Sequence, residues 1–118
     1  MKKIAIIRCL DVSMRCAAMG CLRAFNEKDK HFSQYGEEPL QLMSVMTCNG
    51  CGHTLEEDPG LKKKLDRIVE KKVDVVHFSH CTSKKRKDNP EERYTCPWIA
   101  KMADYLEGHG VRVVHGTH

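Results

Sequence analysis

No stretch of these 118 residues approaches the ~18 consecutive apolar residues that a membrane-crossing helix needs, and this excludes a helical span. The one apolar run near the start, Ile4 to Ile7, is too short for a secretory signal core, and Arg8 ends it, so a cytosolic protein is expected. Internal repeats, low-complexity tracts and linker-like stretches are missing, which leaves a single domain over residues 1–118. Charge of one sign is not in large excess: 20 basic against 16 acidic residues gives +4. Aromatic residues are few, at 6%, and none interleaves the basic run Lys84-Lys85-Arg86-Lys87. That run therefore reads as solvated surface, and nucleic acid is not an expected partner. Nothing in the sequence indicates a protein partner or an oligomeric state. Hydrophobic residues at 41% and charged residues at 31% are ordinary globular usage, enough for one core.

What is abundant is cysteine. There are seven, with seven histidines besides. Cytosolic thiols stay reduced and an odd number cannot all pair, so this is not a disulfide framework. Such a set points to metal, cluster or redox chemistry, unless each thiol is simply a small buried hydrophobe. Where the cysteines fall decides between these.

The apolar pattern predicts four strands alternating with three helices. Lys3 to Arg8 reads as a strand buried on both faces. Cys16 to Asn26 reads as a helix with Ala17, Ala18, Cys21, Leu22 and Phe25 on one stripe. Leu40 to Met46 is the second strand. Asp58 caps a helix that begins at Pro59, and Leu61, Leu65, Ile68 and Val69 form its apolar stripe. Val73 to Ser79 is the third strand, and Ser83 to Tyr94 reads as an exposed polar loop. Cys96 and Pro97 open the last helix, with Trp98, Ile99, Met102, Ala103 and Leu106 facing inward. Val111 to His115 is the fourth strand. This alternation predicts an α/β fold: a four-stranded, mainly parallel sheet of order 2-1-3-4, a flavodoxin-like or Rossmann-like half.

On that frame the thiols converge. Cys9 follows strand one, Cys48 and Cys51 follow strand two, His80 and Cys81 follow strand three, and His118 follows strand four. Cys96 starts the last helix on the same side. All strand C-termini of a parallel sheet share one edge, where ligands bind in open α/β folds. Cys21 alone sits on a helix face, as a core residue. His77 reads as a satisfied histidine within its strand, and Trp98 as core. His31, His109 and His115 have no nameable partner, and Cys16, His53 and His80 have no assignable role.

The sharpest local motif is Thr47-Cys48-Asn49-Gly50-Cys51-Gly52-His53. Two thiols three residues apart on a glycine-bearing turn can bind one metal ion. A four-coordinate site needs further ligands, and Cys81 and Cys96 are the natural ones, with Cys9 and His118 in reserve. Zinc is the first choice of ion, and an iron–sulfur cluster the second. The same pair could instead be a dithiol redox couple, although Gly50, Gly52 and a loop to Pro59 separate it from the helix such a couple normally opens. Cys9 and Arg15 have the spacing of the phosphate-binding loop of cysteine-dependent phosphatases and arsenate reductases. The intervening Leu10-Asp11-Val12-Ser13 lacks a glycine, and Asp11 would repel an anion, so this reading ranks last.

Lys-Ile-Ala-Ile-Ile-Arg-Cys at the start, Thr-Cys-Asn-Gly-Cys in the middle, Val-Val-His-Phe-Ser-His-Cys after them, the Cys-Pro before the last helix and the terminal Gly-Thr-His together make the chain resemble the small CGGC-domain proteins along its whole length. Asn49 stands where the namesake motif has its first glycine, a replacement that asparagine's access to left-handed conformations would tolerate. The resemblance implies a metal site, with zinc the expected ion, carried here onto Cys9, Cys48, Cys51, Cys81, Cys96 and His118. It implies no substrate and no reaction.

Overall fold

The computed structural model describes residues 1–118. Strand β1 (Lys2–Arg8) runs into a one-turn helix, α1 (Leu10–Ser13), and then α2 (Met19–Glu27). A 3-10 segment, Lys30–Tyr35, leads to β2 (Leu40–Thr47), α3 (Pro59–Glu70) and β3 (Val75–Phe78). After a short 3-10 turn at His80–Thr82 come β4 (Ser83–Lys85) and β5 (Arg93–Thr95), then α4 (Pro97–Gly108) and β6 (Arg112–His115). The main sheet has the order β2-β1-β3-β6 and every pairing in it is parallel, which is the predicted topology.

β1 explains why the sheet assembles around it. Ile4, Ala5, Ile6 and Ile7 are all fully buried, because the strand is central and covered on both faces. Ala5 and Ile7 face the larger core, with Leu61, Leu65 and Ile68 of α3 and Ile99, Met102 and Leu106 of α4. Ile4 and Ile6 face the smaller one, with Cys21 and Ala24 of α2 and Phe32 and Tyr35 of the 3-10 segment. Helix α3 starts as expected: Pro59 is its first residue and the Asp58 carboxylate accepts the Leu61 amide at 3.1 Å.

Three expectations need correction. The first main helix does not begin at Cys16. It begins at Met19, because Ala18 adopts a left-handed conformation (φ 65°) as its N-cap and sends the chain out of helical register, leaving Cys16 and Ala17 exposed. The stretch from Ser83 to Tyr94 is not merely a loop: β4 and β5 pair antiparallel there as a hairpin, with Ser83 opposite Thr95. Its strands are short and polar, so they carry no apolar alternation to reveal them. Trp98 is half-buried against the core rather than within it, and Lys101 Nζ lies 5.5 Å from its ring.

His77 is a satisfied histidine, as expected, and a core rather than a surface one. It is fully buried in β3, stacked on Phe32 at 4.2 Å between ring centroids. Tyr35 Oη donates to His77 Nε2 at 2.6 Å, and His77 Nδ1–H donates to the Gly116 carbonyl at 2.8 Å. These partners suit the neutral Nδ1–H tautomer. Burial raises the pKa of Tyr35, which keeps its hydroxyl a donor, and burial lowers that of His77 from 6.5 to about 4. An unfolded chain therefore binds a proton that the folded one refuses between these values. Stability is expected to fall as pH drops from 6.5 to about 4, by no more than roughly 3 kcal/mol from this residue, and to recover none of it on further acidification. Urea unfolding across that range checks this, with His77→Gln flattening the dependence.

Candidate functional site

The parallel ladder delivers the thiols. Cys9 follows Arg8, and Cys48 follows its register partner Thr47, while the Cys48 amide still donates to the Arg8 carbonyl at 3.0 Å. On the other side Phe78 pairs with Ile7, and the Ser79 amide donates to Ile7 O at 2.9 Å, which brings Cys81 up to the same edge. Cys96 is the N-cap residue of α4, tied back by its amide to Thr82 O at 3.0 Å.

Cys9, Cys48, Cys51 and Cys96 line one small cleft, together with Asp11, Gly50, Thr82, Lys84, Trp98 and Ile99. Its free volume is about 30 Å³, room for little more than a water molecule. Cys9, Cys48 and Cys96 are buried; Cys51 is exposed at the rim. All seven cysteines are free thiols. The sulfurs are met by donors from the chain: the Leu10 amide donates to Cys48 Sγ at 3.3 Å, the Cys9 amide to Cys81 Sγ at 3.2 Å, and Lys84 Nζ stands 3.7 Å from Cys9 Sγ.

Lys84 is the residue that sequence reasoning missed. Read as part of a solvated basic run, it is half-buried, because the β4–β5 hairpin folds it over the cleft. Arg15, the alternative cation, is 66% exposed in its side chain and pairs with Asp11 at 3.5 Å, while also donating to the Asp11 carbonyl. The cation beside Cys9 is thus Lys84.

The turn that carries Cys51 is anchored. Its left-handed residues are Gly50 (φ 105°) and Gly52 (φ 87°), where a Cβ would be strained. Asn49 is not left-handed, contrary to the expectation for it. Its side chain instead holds the turn: Nδ2 donates to Asp58 at 3.0 Å and Oδ1 accepts from Lys64 Nζ at 2.7 Å, while Lys64 also reaches the Thr47 carbonyl. His53 Nδ1 bonds the same Asp58 carboxylate at 2.9 Å. The Asn49 side chain first, and then the Leu61 amide, hold the pKa of Asp58 down at about 2. One carboxylate therefore caps α3 and fixes the loop between the two motif cysteines.

The other expected ligands lie apart from the cleft. Cys81 Sγ donates to Ser79 Oγ at 3.2 Å; Ser79 Oγ meets buried Cys21 Sγ at 3.3 Å, which in turn accepts from Thr117 Oγ1 at 3.2 Å. Thr117 Oγ1 is 3.0 Å from His118 Nδ1. His118 itself is exposed, with its ring 6.3 Å from that of His80 and packed over Gly20 of α2. The structure brings Cys9, Cys48, Cys51 and Cys96 together, keeps Cys81 against the Cys9 backbone, and leaves His118 on the α2 side. No three His, Cys, Asp or Glu side chains stand together in an arrangement that could hold a metal ion.

Thiols gathered at the carboxyl edge of a parallel sheet, on a glycine turn and at the start of a helix, define a small cysteine-rich α/β domain. The chain belongs to the CGGC-domain family, whose model matches residues 3–118. No curated protein and no solved structure matches it. No helix is long and apolar enough to cross a membrane.

Cys16, left without a role by the sequence, is exposed beside Arg8. The Ala18 amide first, and the Arg8 guanidinium second, lower its pKa from the ordinary 9.0. Thiolates alkylate and thiols do not, so Cys16 is expected to be the fastest thiol to react with iodoacetamide near neutral pH, ahead of Cys51, which is also exposed. Time-resolved peptide mass spectrometry checks this order, and Cys16→Ser should remove the fast phase.

Proposed function

We propose that this protein binds a thiophilic metal ion, zinc before an iron–sulfur cluster, through thiolates at the C-terminal edge of its sheet. The observation that carries the reading is the cleft shared by Cys9, Cys48, Cys51 and Cys96, four thiols drawn from three separate segments of the chain. The donor set fits: four cysteines are a complete tetrahedral complement for zinc and equally suit a cluster. Cys81, a first-choice ligand by sequence, moves to a secondary place beside His118, and Cys9 takes its position, since Cys81 and His118 hydrogen-bond within the Ser79–Cys21–Thr117 network instead of lining the cleft.

Because no ligand group is preassembled, the chain must close around the ion. Cys51 is the ligand with freedom to move, being exposed between two glycines, while the Asn49–Asp58–Lys64 bonds keep the base of its turn fixed. Cys9, Cys48 and Cys96 are held by strand ends and a helix start, and supply the rigid part of the donor set. A bound zinc ion with four thiolate ligands would supply folding stability and no open coordination position. The Lys84 ammonium offsets part of the negative charge that four thiolates bring.

The reading is tested by a thermal melt of reduced protein with zinc and after chelation. Zinc at a thousandfold excess over its Kd should stabilise the fold by roughly 4 kcal/mol. Cys48→Ser, Cys51→Ser and Cys96→Ser should each abolish most of the rise in Tm. Cys21→Ser should keep the rise, since that thiol is buried against Ser79 and Thr117, away from the cleft. A wild-type Tm indifferent to zinc would overturn the reading.

A further inference from the structure

Cys9 and Cys48 are next in register after the last paired residues of β1 and β2, Arg8 and Thr47. The ladder reaches them from one side, through the bond from the Cys48 amide to Arg8 O at 3.0 Å. From the other side, the Leu10 amide that a continuing parallel ladder would give to the Cys48 carbonyl goes to Cys48 Sγ instead, at 3.3 Å. Neighbouring strands lie about 4.8 Å apart, inside the ~4.4–6.8 Å range of Cα separations that a disulfide spans.

The two side chains also share a face. Ala5 and Ile7 of β1 and Met46 of β2 pack in the core beneath α3 and α4, and the period of two carries that face on to Cys9 and to Cys48. Both thiols are free, both are buried, and both line the cleft. Cys51, the partner that sequence spacing suggests for Cys48, stands exposed at the rim, whereas Cys9 is buried as Cys48 is.

About 30 Å³ is room for hydrogen peroxide, which is little larger than water. The one cation at the buried sulfur is Lys84, 3.7 Å from Cys9 Sγ.

We propose that Cys9 and Cys48 form a peroxide-oxidised dithiol that closes into a disulfide between β1 and β2. The Cys9 thiolate attacks one peroxide oxygen and the O–O bond breaks. The leaving hydroxide, its charge stabilised by the neighbouring Lys84 ammonium, takes up from solvent the proton that Cys9 released and departs as water. Cys9 is now a sulfenic acid, oxidised by two electrons, and the peroxide is reduced. The Cys48 sulfur then attacks Cys9 Sγ, the S–O bond breaks, and the leaving hydroxide takes the proton that Cys48 gives up. The sum is two thiols and one peroxide giving one disulfide and two waters. Two cysteines of the proposed metal site are consumed, so oxidation regulates that same cleft, but the step does not depend on the cleft holding a metal.

The test uses reduced, chelated full-length protein exposed to hydrogen peroxide and quenched with N-ethylmaleimide. Trypsin leaves Cys9 in peptide 9–15 and places Cys48 and Cys51 together in peptide 31–62. The expected product is these two peptides joined, with Cys51 carrying the maleimide. Cys51→Ser should leave the cross-link in place. Lys84→Met should slow its formation about tenfold or more, and Lys84→Arg should restore much of the rate. A Cys48–Cys51 disulfide as the main product, or free Cys9 and Cys48 after the exposed thiols are oxidised, would overturn the proposal. This cross-link in a protein whose Tm ignores zinc would remove the metal reading alone, and a zinc response without the cross-link would remove this inference alone.

Discussion

The parallel pairing of β1 with both β2 and β3 is the constraint on which the rest depends. Register places Arg8 beside Thr47 and Ile7 beside Phe78, so the residues that follow each strand arrive at one edge together. The strand that makes this possible is buried on both faces: four consecutive apolar residues, each fully covered, leave it no other position in the sheet. Sulfur then takes over part of the backbone's hydrogen bonding. The amides of Cys9 and Leu10, which lie beyond the last β1 residue, donate to Cys81 and Cys48 instead of to carbonyls. Strand termination and thiol placement are thus the same event in this chain.

Two sides of that edge do different work. On the α3–α4 side the thiols of Cys9, Cys48, Cys51 and Cys96 line a cleft and none bonds to another polar side chain except through Lys84. On the α2 side, Cys81, Ser79, Cys21 and Thr117 are joined in a hydrogen-bonded chain that leaves no buried side-chain nitrogen or oxygen unpaired. The first side has thiols with little else to do, which is what a binding site or a redox pair requires. The second is satisfied in itself, which is what a core requires. The fold therefore divides the seven cysteines by environment, and Cys16, exposed in the segment before α2, belongs to neither group.

Much of this was legible in the residues. Ile4 to Ile7 announced a central strand, Asp58-Pro59 a helix start, and the alternation of elements a parallel sheet whose order the structure reproduces. Topology alone sends Cys9, Cys48, Cys51, Cys81, Cys96 and His118 to one edge, but Cys81 and His118 lie outside the cleft that the other four line. What escaped was local. Ala18 in a left-handed conformation has no sequence signal, so the apolar pattern alone starts α2 three residues early, at Cys16. The β4–β5 hairpin is too short and polar to show a period, and Lys84, which it folds over Cys9, looked like one cation among four. Asn49 reads in the sequence as a backbone accommodation, whereas it serves through its side chain, as a strut between Asp58 and Lys64.

In the proposed site the cleft thiols act together on one ion. Cobalt(II) added to reduced, chelated protein reads the ligand set directly, because thiolate ligands give an intense near-ultraviolet charge-transfer band and tetrahedral geometry gives strong visible bands. The expected result is a one-to-one complex with the spectrum of a tetrahedral, thiolate-rich site, with the charge-transfer band weakened stepwise in Cys9→Ser, Cys48→Ser, Cys51→Ser and Cys96→Ser and unchanged in Cys21→Ser. A weak, six-coordinate spectrum without thiolate charge transfer, or a band that survives all four cleft substitutions, would contradict it.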